Sequence, residues 1–177
     1  MTATTTDTRA PGWPVVVARA AAQLYLTVVA LLAIAAVAPS VVGWSPLAVI
    51  SGSMEPAIRT GSVAVVAPPE ADEYYATPSV IAFHDLTGAD RVVTHRVVET
   101  ERDADGEVVY TTHGDANADP DSTPVPHDAV IGAVRMVVPF IGLPAVWFHT
   151  GQWLPMLAAL AVTIAAVTAL ARAPVQP

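Results

Sequence analysis

Two long stretches of the chain show no polar alternation at all. Residues 20–54 carry no charged side chain, and a second charge-free run covers residues 136–171. A helix rising about 1.5 Å per residue needs roughly 20 apolar residues to cross the hydrocarbon layer. Residues 15–38 meet that length easily. Residues 153–170, "WLPMLAALAVTIAAVTAL", sit at its short end, where a buried or interfacial helix is the competing reading. Between the two runs the pattern changes to short β-branched segments separated by turn residues. It predicts strands at 47–51, 62–67, 80–84, 91–100, 107–113 and 130–138, punctuated by "RTGS", "APPEAD", "LTGAD" and "DADG". "GDANADPDSTPVPHD" is too rich in Asp, Pro and Asn for a regular element and reads as a loop. The expected architecture is therefore mainly β: a domain over 39–150, flanked by transmembrane helices at 15–38 and 153–170. Residues 1–14, rich in Thr with Pro and Gly, form an expected disordered tail, and 171–177 a second tail. "PSVVGWSP" reads as a connection at the membrane interface, with Trp44 suited to the headgroup layer.

Composition supports a membrane protein and narrows the chemistry. Hydrophobic residues make up 53% of the 177 residues and charged ones 14%, an unusual balance for a soluble domain. All eight basic residues are arginines. Arg9 and Arg19 lie ahead of the first charge-free run and Arg172 follows the second, whereas the segment between is strongly acidic. By the positive-inside rule both tails are cytoplasmic and the middle domain is extracytoplasmic. A formal net charge of −8 argues against nucleic acid as a partner. The absence of cysteine removes disulfides, thiolate ligands and cysteine nucleophiles. Ala36-Val37-Ala38 looks like the A-x-A site of a cleaved leader. The apolar run is too long for such a leader, however, and Pro39 would follow the scissile bond, so a retained anchor is the better reading.

Candidate chemistry begins at "VISGSMEP". Ser51-Gly52-Ser53 ends a strand-like run, where small residues let the backbone bend sharply and present a side chain. Such a sequence is often only a turn, and a serine hydroxyl is a poor nucleophile without a base beside it. With no lysine, a Ser–Lys dyad is excluded. The candidate bases are His84, His95, His113, His127 and His149. His95 lies in "RVVTHRVVET" on the same face as Val93 and Val97 by the period of two, a placement equally suited to a core histidine. His113, just before the Asp-rich loop, is the second choice; His84 could cap a turn, and His127 and His149 look like loop and interface residues. In "GDANADPD", Asp115, Asp119 and Asp121 could line a solvated turn or hold a hard cation. Alternatively one of them accepts a hydrogen bond from His95 and fixes its tautomer.

"SGSMEP", "RTGSVAVV", "VVTHRVV" and "GDANADPD", in that order between two apolar runs, resemble the type I signal peptidases. The likeness covers about residues 49–138 and is closer to the archaeal and endoplasmic-reticulum branch, in which histidine stands where most bacterial enzymes have lysine. The resemblance implies a small antiparallel β-rich peptidase core between two transmembrane helices, and no cofactor or metal. It implies Ser53 as nucleophile and His95 as general base, then acid. Asp121 would orient His95, with Asp115 a nearby supporting carboxylate and the two aspartates interchangeable at this point. Ser51 would offer its hydroxyl to the oxyanion beside the Ser53 backbone N–H. Two departures stand out: Gly61-Ser62 where the family commonly has Gly-Asp, and Ala116 where an asparagine is usual.

The implied substrates are signal peptides of exported preproteins, cut after an A-x-A-type site and bound as an added strand beside the bilayer. The export machinery is a candidate partner. The rival readings are a catalytically silent, membrane-anchored β domain acting as a binding or scaffold module, a different serine hydrolase on the same fold, and a metal site built from the histidines and aspartates.

Overall fold

The computed structural model describes residues 12–70, 73–89 and 91–172. Of the two expected tails, residues 1–11 and 173–177 lie outside the described residues. The chain divides into two compact units, Met1–Leu31 with Leu154–Pro177 and Leu32–Trp153.

The first unit is helical. Helix α1 covers Trp13–Val37, so Trp13 and Pro14, expected in the tail, are already helical. Helix α3 covers Trp153–Ala171. Both are long and apolar enough to cross a membrane, with mean hydropathies of 2.3 and 2.2. Their large side chains point outward all round, as Leu24, Leu31, Leu154 and Leu157 do, which is the surface a lipid-facing helix presents. Among the described residues two polar contacts join the pair: the Tyr25 hydroxyl and Thr163 Oγ1 share a hydrogen bond of 2.8 Å, and Arg19 Nη2 donates to the Arg172 carbonyl oxygen, just past α3, at 3.5 Å.

The second unit is a single seven-stranded antiparallel sheet. Its strands are β1 Ser45–Ala48, β2 Val63–Ala67, β3 Val80–His84, β4 Val92–Arg102, β5 Val108–His113, β6 Val125–Pro126 and β7 Val130–Val138. Their order is β1-β2-β7-β3-β4-β5-β6, so the last of these strands in the chain lies inside the sheet, between β2 and β3. The expected mainly β core between two apolar helices is what the structure shows. β1 begins and ends earlier than the sequence pattern suggested: Val49 still exchanges backbone hydrogen bonds with Gly61 and Ser62, and the chain then leaves the sheet for the Ser-Gly-Ser turn. The Asp-rich loop is also not irregular throughout. Val125 and Pro126 pair with Tyr110 and Val109, and Pro126 is tolerated there because β6 is the sheet edge. A short helix, α2 (Leu143–His149), follows β7.

Two hydrophobic clusters hold the sheet. The larger packs Tyr75, Ile81, Phe83, Val97, Val108, Tyr110, Val125, Val130 and Ala133. The smaller joins Val63, Val65 and Val138 to Ala36 at the end of α1, with Trp44 and Ile141 against it. Trp44 is thus a packing residue of this cluster, rather than only the interfacial side chain its sequence context suggested. The sheet bends at Gly132, which has φ +154°; a Cβ there would lie 1.9 Å from the Ala67 carbonyl oxygen. Register shifts on both sides of β7 accompany the bend, between Val65 and Val66 and between Ala82 and Phe83.

Candidate active site

His95 sits on β4, and its face is set by simple alternation. His95 and Val97 are both buried, as the period of two predicts, while Val98 and the residues after it are exposed. β4 pairs with β3 along Val92–Arg96, but its pairing with β5 starts only at Arg96. Residues 92–95 therefore have one open edge. Opposite them, β1 is the free edge at the other end of the sheet, and it runs on into residues 49–53. A cleft of about 150 Å³ lies between these two segments, lined by Leu47, Ala48, Val49, Ile50, Ser51 and Ser53 on one side and Val92, Val93 and Thr94 on the other.

Ser53 opens a tight turn in which Glu55 N donates to Gly52 O at 3.0 Å and Ile58 N to Met54 O at 2.8 Å. Met54 and Ile58 anchor that turn in the interior. Glu55 accepts from both the backbone N–H and the hydroxyl of Thr60, which closes the turn from outside. Ser53 itself is half-buried, and its carbonyl oxygen accepts from Ala116 N at 2.8 Å. The Asp-rich loop is thereby tied to the Ser53 turn through backbone. Ala116 contributes its N–H, a role that needs no asparagine side chain.

Gly114 is the point where the pieces meet. A Cβ on Gly114 would lie 2.8 Å from Ser53 O, 2.9 Å from His95 Nε2 and 2.8 Å from Asn117 Nδ2. Only glycine allows an approach this close. The far side of the imidazole faces the same loop: His95 Nδ1 and Asp121 Oδ2 are 2.5 Å apart. A carboxylate only accepts, so Nδ1 carries the proton and Nε2 is left as the acceptor in the neutral ring. Asp121 Oδ2 also accepts from the Thr112 hydroxyl at 2.6 Å. The His95 side chain is 9% exposed and that of Asp121 26%.

Asp115 has a different partner. Its two oxygens accept from Arg96 Nε at 2.8 Å and Nη2 at 2.7 Å, and Arg96 Nη1 donates to Pro78 O. These hydrogen bonds from the guanidinium hold the Asp115 carboxyl below the usual carboxylate range and push Arg96 up. Of the two aspartates left interchangeable by the sequence, Asp121 contacts His95 and Asp115 does not. Among the other candidates, His113 Nε2 pairs with Asn117 O at 3.1 Å and His127 Nδ1 with the Tyr110 hydroxyl at 2.8 Å. His84 ends β3 exposed, and the turn after it is made by Asp85 instead. Hydrogen bonds from the Thr87 hydroxyl and N–H, then from Arg91, lower the Asp85 carboxyl to about 2.

No family model matches the chain. Over 92 residues the chain is 37% identical to Signal peptidase I W of Bacillus subtilis (strain 168). The similarity supports a signal peptidase. The match covers 52% of this chain and 47% of the relative, so the chain spans about half the length of the curated relative it matches. Ser51, Ser53, His95, Asp115 and Asp121 all lie around the meeting point at Gly114 or along the cleft. Asp119, His84, His127 and His149 take no part in it. Arg96 and Thr112 were not singled out from the sequence. Arg96 adjoins His95, which is a local signal. Thr112 could have been found only from the alternation of β5, where Val108, Tyr110 and Thr112 are the buried positions.

Proposed function

We propose that the chain is a membrane-anchored serine endopeptidase of the histidine-dependent signal peptidase type, removing signal peptides from exported preproteins. Ser53 is the nucleophile and His95 the general base. Asp121 holds the imidazole in the tautomer that leaves Nε2 free to accept a proton. Ser53 Oγ attacks the scissile carbonyl while His95 Nε2 takes its proton. The same proton passes to the leaving amine, and water then hydrolyses the acyl-enzyme with His95 again as base. The Ser51 hydroxyl and the Ser53 N–H serve the oxyanion, and loss of one such donor costs about 2.7–4 kcal/mol in the barrier. Asp115 acts at one remove, through Arg96, by fixing the loop that carries Gly114 and Asp121.

The observation that carries this reading is the geometry at Gly114. A buried imidazole, bonded to a carboxylate on one side, and the carbonyl of a serine at the end of an open cleft both come within 3 Å of the place a Cβ on Gly114 would take. The two unpaired strand edges beside that cleft suit a substrate bound as an extended strand, with backbone hydrogen bonds for affinity and the cleft walls selecting small side chains. The apolar helices supply an anchor in the lipid bilayer, and the domain acts on the extracytoplasmic side, where it meets preproteins leaving the export machinery.

The test is cleavage of a preprotein with an A-x-A signal peptide by the detergent-solubilised protein, beside Ser53→Ala and His95→Ala. Processing at the A-x-A bond by the wild type alone is the expected result. Equal processing by all three forms would remove the support for both residues, and a folded but inactive wild type would favour a silent binding module.

A further inference from the structure

Thr112 lies near the end of β5 with no solvent exposure, and the catalytic steps above do not use it. A buried hydroxyl needs a partner. Its partner is Asp121 Oδ2 at 2.6 Å, the same oxygen that meets His95 Nδ1 at 2.5 Å. The Thr112 carbonyl oxygen also accepts from Asp121 N at 2.8 Å. One strand residue therefore holds Asp121 twice, by its backbone and by its carboxylate. That matters because Asp121 stands in a segment without regular structure, residues 114–124, so no ladder of its own fixes its side chain.

We propose that Thr112 is a positioning residue of the peptidase: its hydroxyl locks the Asp121 carboxylate in the rotamer that places Oδ2 on the His95 Nδ1–H. The inference rests on the functional reading above, which makes His95 the base. The surroundings leave few competitors for the role. Phe83 lies edge-on to the imidazole with ring centroids 6.3 Å apart. Asp85 and Arg91, which line a cavity of about 200 Å³ with His95 and Asp121, are paired with each other. Arg96 and Asp115 are likewise paired. Asp121 is thus the charged group bonded to His95, and Thr112 is the strand residue that orients it. Thr112 stands opposite Val97, two residues along β4 from His95, at the edge of the bulge between Val97 and Glu99.

Thr112→Val keeps the side-chain shape and removes the donor, whereas Thr112→Ser keeps the donor. In the full-length detergent-solubilised protein, Thr112→Val is expected to lower kcat about tenfold or more with KM little changed, by analogy with loss of an outer-shell partner of a ligating histidine. Thr112→Ser should stay within about threefold of wild type, since it retains the donor. In an Asp121→Asn background, Thr112→Val should add almost nothing, because the two residues act through one hydrogen bond. A second readout does not need activity: with ¹⁵N-labelled histidine, the His95 Nδ1–H resonance should move in Thr112→Val and hold in Thr112→Ser. A full loss of kcat on top of Asp121→Asn, or an unmoved Nδ1–H resonance in Thr112→Val, would overturn the proposal. Should Thr112→Val fail to fold, Thr112→Cys, a weak donor, is expected to give an intermediate loss, and wild-type kinetics there would overturn it equally. A wild type that cleaves nothing would sink the functional reading, while the resonance would still decide what Thr112 does.

Discussion

Gly114 has neither a functional group nor a positive φ, yet the serine turn and the buried histidine both close on it. Three atoms crowd the place its Cβ would take, two of them the Ser53 carbonyl oxygen and His95 Nε2. Gly114→Ala should therefore displace the proposed nucleophile and base, lowering kcat/KM at least about tenfold, since small misplacements of reacting groups are costly. It should also lower stability by about 1–3 kcal/mol, the usual range for overpacking a filled site, readable from thermal melts. Arg96 and Asp115 make a separate, pH-dependent contribution. Because the Asp115 carboxyl is held below its ordinary value, the pair stabilises the fold fully above the unfolded carboxylate range of about 3.9. That stabilisation is lost as pH falls through the lower folded value. Arg96→Gln should cost roughly 1–3 kcal/mol at neutral pH, as for a hydrogen bond to a charged group, and should flatten the fall of the melting temperature below about pH 4. An unchanged acid slope in that variant would show that the pair is not its source.

At the scale of elements, the open edges of β1 and β4 define what the cleft can admit. Ala48, exposed on β1, is a small side chain in its wall. Ala48→Phe should obstruct an extended substrate and raise KM about tenfold or more, with the melting temperature unchanged because nothing in the interior is disturbed. A rise in the melting temperature with normal KM would mean that substrate does not pass there. Strands β3 and β7 and both apolar helices were legible from pattern alone, because alternation and hydrophobic length report burial directly. The face of His95 was legible for the same reason, and the Ser-Gly-Ser turn from its small residues. What the pattern could not give was pairing. Nothing local tells that residues 92–95 are unpaired on one side, that Asp121 rather than Asp115 folds back onto β5, or that Val125 and Pro126 return to the sheet edge. Those are contacts between distant segments, decided by loop closure and by which hydroxyls and carboxylates must find partners. The short helix α2 was missed because the apolar run around it masked its ends.

Across the whole molecule, the proposed function divides anchoring, by the two helices, from chemistry, on the sheet. The link between Tyr25 and Thr163 is a polar contact inside apolar helices, and Tyr25→Phe should weaken helix pairing by only about 0.6 kcal/mol, the average for such contacts in lipid. The proposed orientation has a direct check. A protease site inserted at Gly106, in the exposed turn between β4 and β5, should be cut from outside spheroplasts while tags on both termini remain protected. Cutting at the termini instead would reverse the assigned sidedness. Sheet order has a further consequence, one that concerns time. Ser53 follows β1 and precedes β2, His95 lies on β4, and in the ladder these halves are joined only through β7. β7 is also the last strand to be synthesised. A nascent chain emerging in order would hold an exposed serine and, later, a paired histidine and aspartate, with no strand to bring them together. The proposed peptidase would thus stay silent during its own translocation and switch on only after residues 130–138 had emerged.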